Sequence, residues 1–287
     1  MDRQAPDAET DMTDLLIEKI DAIPSLPETS DRVLSLLSDE DTTFGELEQA
    51  IKMDQSLSAK ILRFANSRYY GYERQVTTLE KAIQLLGFNT IRSVVITHSV
   101  EDNYSAPEIP AFPRENFWEY SLACGICCEV IAEHLGYDSE QKGEVFCAGH
   151  LHATGRTILD QHLHREFIRI FEVMNEEGLS MYEAEKEVLE TTHCRIGAAV
   201  LDKWNLPDPI VAAARHYYEP EKGLHSTVDV VHLASVLTKT KGYGFSGDED
   251  LSYLDESRVE ALGFDDNEIE RILDEDFPRH YERLRGD

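Results

Sequence analysis

Residues 53–67 read MDQSLSAKILRFANS. Asp54 is a helix-capping residue, since its carboxylate can accept from backbone N–H groups in the turn that follows. Leu57, Ile61, Phe64 and Ala65 then recur at intervals of three and four, the period of one helical face. Asn66 and Ser67 end the run and lead into Arg68-Tyr69-Tyr70-Gly71-Tyr72, a break rich in turn residues and tyrosine. The same grammar extends in both directions. Upstream, Thr43-x-x-Glu46 is a capping box ahead of Leu47, Ala50 and Ile51, and an earlier helix carries Val33, Leu36 and Leu37. Downstream, Thr77-x-x-Glu80 opens a helix with Ala82, Ile83 and Leu86 that stops at Gly87, and Asn89 starts another bearing Ile91, Val94, Val95 and His98.

At the start of the chain, residues 1–13 are polar and expected to be disordered. A helical pattern begins near Leu15 and is redirected by the prolines of Ile23-Pro24-Ser25-Leu26-Pro27. The N-terminal helical part is thus placed at 14–100. Residues 101–114 hold three prolines and little periodicity, which marks a linker or crossing loop. Beyond it, helices are expected over about 117–135, 142–163, 193–204, 208–217 and 226–240. Ser180-x-x-Glu183 caps a further one that reaches Leu189. Residues 115–240 form a second helical part. Residues 241–287 read as an acidic helical extension, with Asp265-x-x-Glu268 capping a last amphipathic helix that carries Ile269, Ile272 and Leu273. No alternating strand pattern of useful length occurs, so the fold class is all-α.

Composition narrows the function. The 287 residues include 56 acidic and 27 basic side chains, a formal net charge of −29. A field of that sign repels phosphate backbones and anionic lipid heads, which disfavours nucleic acid and membrane surfaces as partners. The charge reads as a solvated acidic surface or as complementarity to a basic partner. No stretch approaches the roughly 20 apolar residues that span a bilayer, and no apolar signal run opens the chain, so the cytoplasm is expected. The five cysteines, Cys124, Cys127, Cys128, Cys147 and Cys194, are odd in number and unevenly spaced, unlike a disulfide framework.

Candidate chemistry rests on the eleven histidines. His152, His193, His216 and His232 lie in apolar helical settings without the neighbouring carboxylate that a hard-metal site requires. Each reads either as a buried histidine with a hydrogen-bond partner or as a remnant ligand. His150 and His152, two apart on a helix, diverge by about 200° and cannot easily share an ion. Cys124-x-x-Cys127 sits within a helix and lacks the preceding strand of a thioredoxin-like pair.

Several strings resemble the HD-related output domain family, the HDOD domain of bacterial signalling proteins. They are Ile23-Pro24-Ser25-Leu26-Pro27, Met53 to Arg63, Phe64-Ala65-Asn66-Ser67, Tyr69-Tyr70-Gly71, Ala82 to Gly87, Phe117-Trp118, Ala148-Gly149 and Trp204-Asn205-Leu206-Pro207. They occur in order over about residues 15–240. The resemblance implies an HD-like helical domain preceded by an N-terminal helical subdomain, and a role in signal transduction through protein partners. Catalytic relatives carry a metal-dependent phosphohydrolase site built from a histidine, a histidine–aspartate doublet, later histidines and an aspartate. Here those positions read Tyr120, His152-Ala153, His193, His216 and Ser235. The departures remove one histidine and both carboxylates. Paired divalent ions need negative ligands to offset their repulsion, so no metal, no cofactor and no catalysis are expected. The vestigial pocket could fill with side chains or hold a small ligand, a nucleotide second messenger by analogy. A metal-binding sensor and a residual hydrolase are the remaining alternatives. Phe64, Asn66, Arg68, Tyr69, Tyr70 and Tyr72 read either as a partner surface, being rich in aromatics and arginine, or as a packed anchoring loop.

Overall fold

The structure, a computed structural model, describes residues 26–39, 41–67, 76–102, 106–223 and 225–285. The expected disordered N-terminus and first helix, and Arg68, Tyr69, Tyr70 and Tyr72, lie outside the described residues. Helices account for the architecture, and no strand occurs among the described residues.

The N-terminal part holds α1 (Glu28–Leu37), α2 (Phe44–Lys52), α3 (Gln55–Ala65) and α4 (Leu79–Asp102). The capping signals set their starts. Thr43 and Glu46 close a reciprocal box on α2, and the Asp54 carboxylate accepts from the Leu57 N–H at 2.9 Å. One cap differs from expectation: Lys81 N–H donates to the Thr78 hydroxyl at 3.4 Å, so the cap sits one residue beyond Thr77. As expected, two helical stretches meet at Gly87, whose φ of 73° and ψ of 165° are non-helical and open to glycine without a Cβ penalty; α4 denotes both stretches together. Beyond the kink, α4 is buried on nearly all sides, because α1, α2 and α3 pack on one flank and a helix of the second part on the other.

The second part contains α5 (Arg114–His134), α6 (Ser139–Leu151), α7 (Thr154–His162), α8 (His164–Glu177), α9 (Met181–Leu189), α10 (His193–Lys203), α11 (Asp208–His216) and α12 (Ser226–Lys241). Two boundaries depart from the sequence expectation. The single helix expected over 142–163 is two, α6 and α7, separated at His152-Ala153. The 14-residue α8 was not anticipated; its apolar face buries Phe167, Ile170 and Phe171. The crossing segment is packed rather than a free linker, since Phe112 is buried among the rings of Phe117, Phe167 and Phe171.

The C-terminal stretch is helical, as expected, with α13 (Glu256–Ala261), α14 (Asp266–Arg271), a π-helical turn (Ile272–Asp276) and α15 (Phe277–Arg285). It is not peripheral. Ile272, Phe277 and Tyr281 are buried, and the loop before α13 sends Ser246, Asp248 and Tyr253 toward the centre of the second part. One hydrophobic cluster runs from Leu26 to Tyr281 through all of these elements.

Candidate functional site

Close helix crossings put the histidines together. An added Cβ on Gly155 of α7 would lie 1.9 Å from the His193 carbonyl oxygen and 2.9 Å from the Gly197 nitrogen of α10. An added Cβ on Gly149 of α6 would lie 2.4 Å from Cys128 Sγ and 3.1 Å from Gly125 Cα of α5. Only glycine permits either approach. The two crossings bring the α6–α7 junction, with His152 and Ala153, against α5 on one side and the start of α10 on the other.

His152 is buried and its Nδ1 lies 2.5 Å from the Gly149 carbonyl, which only accepts. Nδ1 therefore carries the proton, and Nε2 accepts from the Tyr120 hydroxyl at 3.2 Å. Tyr217 stands edge-on to the His152 ring at 4.5 Å. The Tyr217 hydroxyl in turn bonds His193 Nε2. His193 Nδ1 donates to the Glu185 carboxyl at 2.6 Å, and the His193 backbone N–H donates to it at 2.9 Å. Burial holds His193 well below the usual histidine range, with the Arg156 cation adding to the effect. Burial also pushes Glu185 up, to about 8, against the pull of Arg156.

Arg156, on the same helix as the junction, is wholly buried. It donates to the Ser246 carbonyl and, at 3.4 Å, to the Tyr218 hydroxyl; its Nε has no acceptor among the described residues. Burial opposes its charge, but Tyr217, Tyr218, Asp248 and Glu185 hold it well above the usual range. Lys239 completes the set, with Nζ 2.6 Å from Asp248 and 3.0 Å from the Asp250 carbonyl. Tyr182, Tyr218 and Tyr253 stack in sequence at 4.5 and 4.0 Å. Ser235 pairs with the Tyr253 hydroxyl at 2.9 Å.

Five of the six residues read as the vestigial pocket, Tyr120, His152, Ala153, His193 and Ser235, are buried. His216 is partly exposed at the end of α11, and its neighbour Tyr217 takes the place beside His193. His232, with Nδ1 on the Tyr217 carbonyl and Nε2 accepting from the Asp255 N–H, is a satisfied core histidine. The sequence reading missed Arg156, Glu185, Tyr217, Tyr218, Asp248, Lys239 and Tyr253. Two signals could have marked some of them: Arg156 lies one turn after His152, and the Tyr217-Tyr218 pair follows directly on His216.

This donor set does not fit the paired metals of catalytic HD enzymes. The nitrogens of His152 and His193 are engaged with Tyr120, Gly149, Tyr217 and Glu185, Ala153 offers no ligand, and a guanidinium lies among them. A fixed cation at that point repels a divalent ion. Among the described residues, no three His, Cys, Asp or Glu side chains converge on a metal position. Cys124 and Cys127 are both buried as free thiols.

On the partner surface, Phe64 is partly buried, with its ring 6.2 Å from that of Phe146. The Asn66 side chain donates to the Val76 carbonyl and accepts from the Val76 N–H, each at 2.7 Å, which ties residue 66 to residue 76. Both residues act as anchors. Among the described residues, no helix is long and apolar enough to cross a membrane.

The fold is shared with known structures. An HDOD domain protein of unknown function from Geobacter sulfurreducens superposes with a TM-score of 0.69 at 23% identity, covering 98% of this chain and 90% of that one. A candidate phosphohydrolase from Shewanella amazonensis SB2B gives 0.73 at 23% identity, over 94% and 97%. A candidate signal transduction protein from Marinobacter aquaeolei VT8 gives 0.77 at 20% identity, over 98% of this chain and 65% of that one. An uncharacterized protein of Treponema pallidum (strain Nichols) is 21% identical over 231 residues, 76% of this chain; the match spans only 43% of that protein. The family model for the HDOD domain matches residues 23–220, and the chain belongs to the HDOD domain family.

Proposed function

We propose that this protein is a non-catalytic signal-transduction output domain of the bacterial cytoplasm that acts by binding a protein partner. One observation carries the reading: the region that would hold metal ions in catalytic relatives is closed by Tyr120, His152, His193 and Tyr217, with the Arg156 cation beside them. A phosphohydrolase needs an open coordination position and a water that the metal can acidify. Neither is compatible with histidine nitrogens that are already engaged inside a packed core. The same closure argues against a small ligand at that place. The network instead pins α5, α7, α10, α11 and α12 to one another, which makes the second part a rigid body suited to presenting a surface.

The test is elemental analysis of protein purified without chelator, followed by hydrolysis assays with bis-p-nitrophenyl phosphate and nucleotides in the presence of Mn²⁺, Mg²⁺ or Fe²⁺. The expected result is no near-stoichiometric metal and no turnover above buffer. Stoichiometric metal, or turnover lost on His152→Ala, overturns the reading.

A further inference from the structure

The segment between α12 and α13 lies beyond residues 23–220, which the family model matches, and crosses the second part without regular secondary structure. It is seated closely. The Phe245 N–H donates to the Asn116 carbonyl at 2.9 Å. An added Cβ on Gly244, whose φ is 70°, would lie 2.2 Å from the Tyr120 nitrogen of α5. At the far end the Tyr253 hydroxyl pairs with Ser235, and the Asp255 N–H donates to His232 Nε2 at 2.9 Å. The segment therefore lies over the vestigial site, against Tyr120 at one end and Ser235 at the other.

A carboxylate sits between those ends. Asp248 is buried, with one oxygen 2.6 Å from Lys239 Nζ and the other accepting from the Met181 N–H at 2.9 Å. Two residues earlier, the Ser246 carbonyl accepts from Arg156. Burial opposes the Asp248 charge, but Arg156 and Lys239 hold its carboxyl below the usual carboxylate range.

The charges enclosed there are uneven. Arg156 and Lys239 are both buried cations. Glu185, pushed up to about 8 by burial, is mostly protonated at neutral pH, so Asp248 is the carboxylate that answers both. Arg156 Nε still has no acceptor among the described residues. Without Asp248, two buried cations would face each other uncompensated, a state that strongly favours the entry of an anion.

The hold on the segment is mainly polar. Leu251 and Leu254 are 39% and 40% exposed, and Phe245 is half-buried. Water can replace the hydrogen bonds that are lost on lifting, whereas lifting a helix of the second part would expose apolar core.

We propose that residues 244–255 form a strap that fills the vestigial site with an internal anion, and that lifting it uncovers a site where Arg156 and Lys239 take a small carboxylate in place of Asp248. This rests on the non-catalytic reading above and adds the regulation of the same site, which is closed to ligands while the strap is down.

The first probe is sodium formate, titrated into the full chain at constant ionic strength against chloride, with the thermal unfolding midpoint as readout. Asp248→Ala keeps both cations and frees the space of one carboxylate, so formate should raise its midpoint saturably by several degrees. The parent, Asp248→Asn, which keeps that space filled, and Glu249→Ala, at an exposed neighbour, should show no such rise. Hydrogen exchange in the parent chain reads the lifting itself and decides the matter alone if Asp248→Ala does not fold. The amides of Phe245, Asp255 and Met181 should exchange at least about tenfold faster than those of Ile126 and Val130 in the core of α5. Strap amides that exchange at the rate of the α5 core overturn the strap, and so does a folded Asp248→Ala on which formate acts no more than chloride. Either failure leaves the non-catalytic reading intact, because that reading is judged by metal and turnover.

Discussion

The centre of the second part and the junction between the two parts are both rich in polar groups, yet they treat them oppositely. Around His152 and His193, nearly every donor and acceptor is answered from within the chain, and even the charges of Arg156, Lys239 and Asp248 face one another. At the junction, Asp31, Asp39, Glu140 and Glu144 line open cavities, and Asp39 and Glu144 accept from the Asp41 N–H and the Thr227 hydroxyl. Satisfied buried polar groups add rigidity and leave little to offer a ligand, while charged groups that line an opening stay hydrated. The polar network around His152 and His193 therefore holds the fold, whereas the carboxylates at the junction do not.

Substitutions can break this comparison, beginning with the largest expected effect. Arg156→Met removes a buried cation and leaves the Ser246 carbonyl without its donor inside the core, which should cost about 4 kcal/mol in urea unfolding. A cost below 1 kcal/mol would mean that the charge network is not holding the second part together. Gly155→Ala forces α7 away from α10 and should cost about 3 kcal/mol, whereas Gly45→Ala, where an added Cβ meets nothing within 4 Å, should be neutral or slightly stabilising. The same two unfolding curves check both.

The pH dependence has two arms. Burial pulls His150 down to about 3, below its unfolded value of about 6.5. Its neutral form is thus favoured in the fold, and that stability is present above pH ~6.5 and lost as pH falls toward 3. Glu185 is shifted the other way, to about 8 from an unfolded value of about 4.3. The fold there binds more protons than the unfolded chain, so its contribution is complete below pH ~4.3 and declines as pH rises through 8. Unfolding free energies from pH 5 to 9 should show the Glu185 decline in the parent protein and lose it in Glu185→Gln; an unchanged slope in the variant would sink the assignment. Tyr217→Phe leaves His193 Nε2 with only the weak Cys194 thiol at 3.4 Å and should cost about 2 kcal/mol, measurable as a shift in urea midpoint. At the bottom of the scale, Asp39→Asn and Glu140→Gln, at a cavity lining, should change stability by under about 0.5 kcal/mol in the same urea series. A large stability loss there would remove the contrast with the core network.

The helix starts were legible because they are local chemistry. Thr43 with Glu46, Asp54, Ser180 with Glu183, and Asp265 with Glu268 all cap where their spacing says they should, since a capping bond closes within one turn. That positions 120 and 153 hold tyrosine and alanine, neither a histidine nor a carboxylate, was equally plain from residue identity. The break at His152-Ala153 was not, because no proline or glycine lies at that junction; it occurs where α7 must turn to meet Gly197.

The sequence by itself therefore determined an all-α chain of the HDOD family and its acidic charge, because periodicity, capping and side-chain chemistry are carried by neighbours a few residues apart. Only the tertiary structure decided that Tyr217 rather than His216 faces His193, since each residue along a helix rotates by about 100° and packing sets the phase. It alone showed Arg156 to be a buried cation and Trp204 to line a cavity. Both depend on contacts between elements far apart in sequence, Arg156 with Ser246 and Trp204 beside α1, which no local pattern encodes.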